Sequence, residues 1–382
     1  MWQRLVSIVR GWDGPLFTFT VLLLALGLAE LYSSSLSRPE IVPLFSRQLF
    51  GVFLGLIGLL VASLIDFRVY RSWSRLIYIF SAVILVLVLV IGSTVHGTTG
   101  WFIFGGFRFQ PVELVKFLWV IVLASYLAHV GPPLTFKKTF GAIVLAIPLL
   151  GLILMQPDFG SGFLLVVCLV AMLVSIPKIR RWWLWSILAC LAVIVMGSFF
   201  LKDYQVARLK SVINPQADRL GQGYNVTQSI IAVGAGHLLG RGLGLGTQSQ
   251  LKFLPSQHTD FIFASIAEEL GLLGSLLTIA LWGGWFYRII RLMTRLRDDF
   301  AVLLTIGVLS IFAAQVTFNI GMNIGLFPVV GITLPFVSYG GSSLIVSLTM
   351  VGILLNLTRQ FGSHAPQTEI PGVDRGGYKM IN

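Results

Sequence analysis

Long apolar runs separated by short polar links run through this sequence and limit it to few folds. An α-helix rises 1.5 Å per residue, so about 20 apolar residues cross the hydrocarbon core of a bilayer. Candidate runs are centred on Leu16–Tyr32, Leu49–Ile65, Leu76–Ile91, Val112–Val130, Phe140–Met155, Phe163–Ile176, Trp182–Leu201, Phe261–Tyr287, Ala301–Ile320 and Leu344–Leu357. Inside lipid each backbone N–H and C=O needs a partner, which a helix supplies within its own segment. The expected fold is all-α, a polytopic integral membrane protein with about ten transmembrane helices.

Composition agrees. Hydrophobic residues make up 56% of the chain and charged residues 11%, with mean hydropathy +0.89, whereas soluble domains carry about 25% charged residues. Such a chain lacks the polar side chains to coat a water-soluble exterior. Cys168 and Cys190 both lie in apolar runs and form no CxxC pair, so neither a disulfide framework nor a thiol metal site is suggested. The first run is followed by Ser33-Ser-Ser-Leu-Ser-Arg-Pro39 with no small-x-small cleavage pattern, and it reads as a retained helix.

The net charge of +12 is gathered in short clusters between the runs. Cationic clusters there set membrane topology rather than mark a nucleic-acid surface. With the first link outside, the inner side holds Arg4, Arg10, Arg68, Arg71, Arg75, Lys137, Lys138, Lys178, Arg180, Arg181, Arg288, Arg291, Arg295, Arg297, Arg359, Arg375 and Lys379. The short outer links and the fourth run hold only Arg38, Arg47, Arg108 and Lys116. Both termini are therefore expected in the cytoplasm. Residues 1–362 read as one ten-span domain with a large extracytoplasmic loop at 202–259, and 363–382 as a flexible cytoplasmic tail. Within the loop, Gln228–Gly236 is apolar but too short to span, so it is expected to lie in the interface or dip partway in, over a cavity.

Ionisable groups inside spans cost about 2.5–3.5 kcal/mol each on insertion scales, which makes the few present worth weighing. Glu113 and Lys116, three apart, can pair on one helix face, either as a structural ion pair or as the wall of a polar cavity. Asp158, in Gln156-Pro-Asp-Phe-Gly160, can cap the next helix, hold a sugar hydroxyl or help place a cation beside a phosphate. Gly240-Arg-Gly-Leu-Gly-Leu-Gly246 superficially looks like a dinucleotide fingerprint, but no strand precedes it and no βαβ unit surrounds it. With Arg241 and Lys252 nearby it is either an anion-approachable loop or a flexible one. Asp260, in Phe253-Leu-Pro-Ser-Gln-His-Thr-Asp-Phe-Ile-Phe-Ala264, sits where a polar loop meets a span and is either a helix N-cap or a partly desolvated base. Glu268 and Glu269 lie deeper in the same span and, being adjacent, point in different directions, with pairing inside the bundle as their default role. The Pro- and Gly-rich stretch Phe327–Ser343 favours turning backbone, which survives at membrane depth only inside protein or along a cavity.

Together with Gln110-Pro-Val-Glu-Leu-Val-Lys116 and Gly221-Gln-Gly-Tyr-Asn-Val-Thr-Gln-Ser229, the Gln156–Gly160, Phe253–Ala264 and Phe327–Ser343 stretches resemble the SEDS family (shape, elongation, division and sporulation) over nearly the whole chain. Gly246-Thr-Gln-Ser-Gln-Leu251 and Pro328-Val-Val-Gly331 are more similar to its RodA branch than to its FtsW branch. The resemblance implies a peptidoglycan glycosyltransferase of the cytoplasmic membrane that polymerises lipid II on the outer face, working with a class B penicillin-binding protein. Under it, Asp260 is the catalytic carboxylate, Glu113 and Lys116 are paired cavity residues, and Asp158 is a further functional acid. Arg108, Arg241, Lys252 and His258 complete the candidate cavity set, and a divalent cation is a candidate cofactor beside the diphosphate. The chain departs from the family pattern at Gly100, where members often carry Arg before the Trp, and at Val112, where QPSE is frequent; Arg108 is the candidate replacement for the missing cation. Two other classes remain open, a lipid-linked precursor flippase or transporter and a non-catalytic scaffold.

Overall fold

The computed structural model describes residues 10–37, 41–95, 98–104, 107–176, 222–251, 253–254 and 256–361. Their elements are α1 (Gly14–Ser37), α2 (Val42–Leu64), α3 (Phe67–Ser72), α4 (Ser74–Ile91), β1 (Ser93–Val95), β2 (Thr98–Phe104), β3 (Phe107–Phe109), α5 (Pro111–Val130), α6 (Phe136–Met155), α7 (Phe159–Ser175), α8 (Gln222–Ala235), α9 (Thr247–Gln250), α10 (Ile262–Met293), α11 (Asp299–Asn323) and α12 (Gly341–Phe361). Eight of these helices are long and apolar enough to cross a membrane, and α7, at 17 residues, is a shorter apolar helix. The chain is thus a multi-pass membrane protein. Nine of the ten expected runs fall on these nine helices; Trp182–Leu201, the 202–221 part of the large loop and the 363–382 tail lie outside the described residues.

The helices start where sequence chemistry lets them. Asp158 accepts from the Ser161 amide at the start of α7, Asp298 from the Ala301 amide at the start of α11, and Asp13 from the Leu16 amide at the start of α1. Each carboxylate satisfies a first-turn N–H that has no helical partner. Pro111 opens α5, where its missing N–H costs nothing.

The all-α expectation omitted one element, a three-stranded antiparallel sheet between α4 and α5 in the order β1-β2-β3. Thr94 pairs with Thr99, and Phe102 with Phe109. Its segments are short but rich in β-branched and aromatic residues, the types suited to a pleated, half-buried surface.

Helices α5, α10, α11 and α12 are mostly buried, whereas α2, α4 and α6 leave most of their surface outward, as lipid-facing helices do. The contact between α2 and α12 is close: a Cβ on Gly55 would stand 2.5 Å from Leu348 Cδ1, and one on Gly352 would stand 2.3 Å from the Leu59 carbonyl oxygen. Small residues let membrane helices approach in this way. The segment between α11 and α12 is irregular, as its prolines and glycines predict. It is pinned by Phe336, whose φ of +64° is rare for a bulky residue. The Phe336 ring stacks on Trp282 at 5.5 Å and Phe312 at 5.4 Å, with Trp285 at 6.0 Å, and this aromatic packing holds the strained backbone in place.

Candidate functional site: a polar cavity at one end of the bundle

One end of the bundle opens into a cavity of about 770 Å³. Its wall is assembled from stretches spread along the chain, among them Asn225 on α8. Arg47 comes from the start of α2; Thr98, Trp101 and Arg108 come from the sheet; Glu113 and Lys116 come from the first turns of α5. Asp158 and Ser161 lie at the start of α7, Thr259 and Asp260 precede α10, and Val329–Thr333 and Tyr339–Ser343 precede and open α12.

Lys116 Nζ donates to Glu113 Oε1 at 2.7 Å, with the two side chains only 4% and 13% exposed. The pair read from the i, i+3 spacing therefore exists, and it faces the cavity. Asp158 also caps, as expected, its Oδ1 accepting from the Ser161 amide at 3.0 Å, while its Oδ2 accepts from both the Ser161 hydroxyl at 2.8 Å and Gln110 Nε2 at 3.3 Å. Withdrawal from water raises the Asp158 carboxyl above its ordinary pKa, and the Ser161 bonds and the nearby Lys116 charge pull it back. Gln110 is tied in turn by its own amide, which donates to Ser342 Oγ at 3.1 Å, and that hydroxyl donates to the Arg108 carbonyl at 3.1 Å. Arg108 thus lines the same cavity as the Glu113–Lys116 pair. At Gly100, where the expected cation is missing, a Cβ would stand 3.2 Å from Gln156 Oε1.

Asp260 is half-buried at the cavity wall, and the N-cap position of α10 falls on Phe261, one residue later. Gly331 faces it, with a φ of +70°, and a Cβ there would lie 3.9 Å from Asp260 Oδ2. Three successive carbonyls hold this loop down. The Tyr339 amide donates to His258 O at 2.7 Å and Ser338 Oγ to Thr259 O at 2.6 Å. Asp260 O accepts from both Asn319 Nδ2 at 3.0 Å and Asn323 Nδ2 at 2.9 Å. Gln48 clasps the opposite side, donating to Ser338 O at 3.2 Å and accepting from the Gly340 amide at 3.2 Å.

Not every candidate reaches the cavity. Arg241 is exposed, its Nε donates to the Ala235 carbonyl at 3.2 Å, and it does not line the cavity wall. His258 enters the site through its carbonyl rather than as a lining side chain. Lys252 lies outside the described residues. The glycine-rich loop is neither a free anion cradle nor loose. The Arg241 and Gly242 amides donate to the Glu268 and Glu269 carbonyls at 3.0 Å each, and the Gly244 and Gln248 amides to the Glu269 and Glu268 carboxylates at 3.0 and 2.7 Å. Four of the loop's amides are thus taken up by α10 rather than left open to an anion, and both glutamate carboxylates, expected to pair inside the bundle, accept from this loop.

Sequence reasoning also missed Arg47, Gln48, Asn319, Asn323 and Ser338. The available signal was polar residues at helical spacing inside apolar runs, above all Asn319 and Asn323 four apart near the end of α11. No described group of three or more His, Cys, Asp and Glu residues is placed to hold a metal ion, and Glu113 and Asp158 already have the protein partners named above.

The sequence model of the cell cycle protein family that groups FtsW, RodA and SpoVE matches residues 15–362. Peptidoglycan glycosyltransferase MrdB of Escherichia coli (strain K12) is 36% identical over 352 residues, spanning 91% of this chain and 94% of its own. Among solved structures, one chain from a study of how a peptidoglycan synthase complex coordinates polymerization and crosslinking superposes with a TM-score of 0.77 at 30% identity, covering 92% of this chain and 99% of that one. The rod shape determining protein RodA of Thermus thermophilus gives a TM-score of 0.69 at 26% identity, covering 92% of this chain and 98% of its own. With nearly the whole length matched in sequence and in fold, this chain belongs to the FtsW/RodA/SpoVE family of cell cycle proteins.

Proposed function

We propose that this protein is a peptidoglycan glycosyltransferase that polymerises lipid II at the outer face of the cytoplasmic membrane, in complex with a class B penicillin-binding protein. The observation that carries the reading is the single cavity in which the Asp260 carboxylate shares a wall with Arg47, Arg108 and the Lys116–Glu113 pair. A sugar polymerase using a diphosphate leaving group needs a base on one side of the reacting carbon and cations on the other. Asp260 accepts the proton of the acceptor's GlcNAc 4-hydroxyl as that oxygen bonds to the donor's MurNAc anomeric carbon. The bond from that carbon to the diphosphate breaks, undecaprenyl diphosphate leaves with the electron pair, and Asp260 returns its proton to water. The cations stabilise the charge developing on the leaving group.

The identities to MrdB and to the synthase-complex chain support both the activity and the partner. The Gly246–Leu251 and Pro328–Gly331 motifs favour a RodA-type role in cell elongation.

The test is polymer formation by the purified complex given lipid II, with Asp260→Asn beside the wild type. The variant keeps shape and removes the anionic base, and loss of a general base costs about 100-fold or more. Near-native polymer from Asp260→Asn would remove Asp260 from the mechanism. Lipid II translocation in proteoliposomes without any polymer would replace the enzyme by a flippase, and neither activity would leave the scaffold.

A further inference from the structure

We infer that Asn319 and Asn323 are positioning residues that fix the Asp260 carboxylate against the opposite wall of the cavity, an inference that rests on the glycosyltransferase reading above. Both side chains are fully buried, one helical turn apart on α11, so they present one face. Their hydrogen-bond inventory is used in a specific way. An amide NH₂ has two donors. Asn319 Nδ2 gives one to Asp260 O at 3.0 Å and the other to Ile332 O at 2.8 Å. Asn323 Nδ2 gives one to the same Asp260 O at 2.9 Å and the other to Asn319 O at 2.7 Å. Asn323 Oδ1 accepts from the Ala264 amide at 2.9 Å, which fixes the first turn of α10 as well.

One asparagine would have sufficed to satisfy a lone buried carbonyl. The arrangement does more, because Asn319 ties the Asp260 loop to the Ile332 strand of chain, and the neighbouring Gly331 is the residue that faces the Asp260 carboxylate. The clasp therefore sets the separation between the base and the wall it works against. The Asn319 Oδ1 atom is buried without a hydrogen-bond partner, an arrangement with a cost, while its Nδ2 partners are both met. Ser229 Oγ donates to the Asn323 carbonyl at 2.8 Å, so α8 braces the clasp from behind.

The proposal is tested on the full-length protein in its complex, with Asn319→Ala and Asn323→Ala beside the wild type. Two readouts are needed. Polymerisation from lipid II is expected to lose at least tenfold in kcat with KM nearly unchanged, and hydrogen–deuterium exchange is expected to speed up in the peptide covering 256–264 but not in α12. A merely stabilising role predicts a lower unfolding temperature with unchanged kcat in the protein that remains folded, and that result overturns the proposal. So does unchanged exchange over 256–264. If an alanine variant does not fold, Asn323→Asp keeps the shape, replaces donors by acceptors facing two carbonyls, and is read in the same two ways. If the wild type itself forms no polymer, the glycosyltransferase reading fails, and the exchange arm still decides whether the clasp holds the loop.

Discussion

Lys116 and Glu113 form an ion pair almost cut off from water, and such pairs respond to single and double replacement in opposite ways. Removing one partner leaves an uncompensated buried charge, a loss of about 3–5 kcal/mol, whereas replacing both by apolar residues of similar volume is often neutral. Glu113→Leu or Lys116→Leu alone is therefore expected to lower the unfolding temperature clearly, and the double variant to recover most of it. Polymerisation is expected to stay lost in all three, because the pair lines the cavity and contributes a cation there. A double variant with normal polymer output would reduce the pair to a structural feature. At this scale the sequence was most readable where a contact is local: the i, i+3 pair and the Asp158 cap both follow from spacing alone. The N-cap alternative for Asp260 was equally local, and it is displaced by one residue because the turn continues through Phe261 before α10 begins. The asparagine clasp was unreadable, since each of its bonds to the Asp260 loop joins positions about 60 residues apart.

At the scale of elements, the most instructive feature is the break in α10. Gly271 has a φ of +67°, and across the break the Leu272 and Leu273 amides donate to the His237 and Leu238 carbonyls at 2.9 and 3.2 Å. The loop before α9 thus repairs the hydrogen bonds that the broken helix lacks, which is how an irregular backbone persists in a membrane protein. Both segments need glycine at the crossing. A Cβ on Gly240, whose φ is +79°, would stand 2.1 Å from the Glu269 carbonyl oxygen, and one on Gly271 would stand 2.3 Å from the Gly240 nitrogen. Gly240→Ala and Gly271→Ala are each expected to cost more than about 1 kcal/mol, from strain in the backbone and separation of the loop from the helix. Gly283→Ala, in the same helix with nothing within 4 Å of its Cβ, is expected to be neutral or to stabilise by up to about 1 kcal/mol. Thermal unfolding of the purified variants decides, and equal behaviour of all three would mean that the crossing is not under steric constraint. The run of glycines was visible in the sequence, but its use was not, because whether a loop amide meets an anion or a helix carbonyl is a tertiary fact. The sheet escaped for a different reason: its strands of three to seven residues are too short to stand out from the apolar runs beside them.

For the whole molecule, the periodic apolar runs made the helical bundle legible, because a bilayer imposes one length on every span. The cavity was legible only in part, since its wall draws on stretches from Leu44 to Ser343 that meet through packing. One sequence pattern gains meaning from the assembled structure. Arg47, Arg108 and Lys116, the described cations of the short outer links and α5, all line the cavity, whereas Arg241 of the large loop does not. The far end carries pairs such as Arg71 with Asp298 at 3.8 Å and Arg288 with Asp13. Excess Lys and Arg in short links holds those links in the cytoplasm, so the cavity end is expected to face outward. The check uses a background with Cys168 and Cys190 replaced by alanine and one new cysteine at a time. Ser256, exposed at the cavity, and Trp73, exposed between α3 and α4, mark the two ends. A membrane-impermeant maleimide should label Ser256→Cys in intact cells and Trp73→Cys only after permeabilisation. The reverse pattern would put the cavity in the cytoplasm, where a polymerase building the wall outside the membrane could not deliver its product.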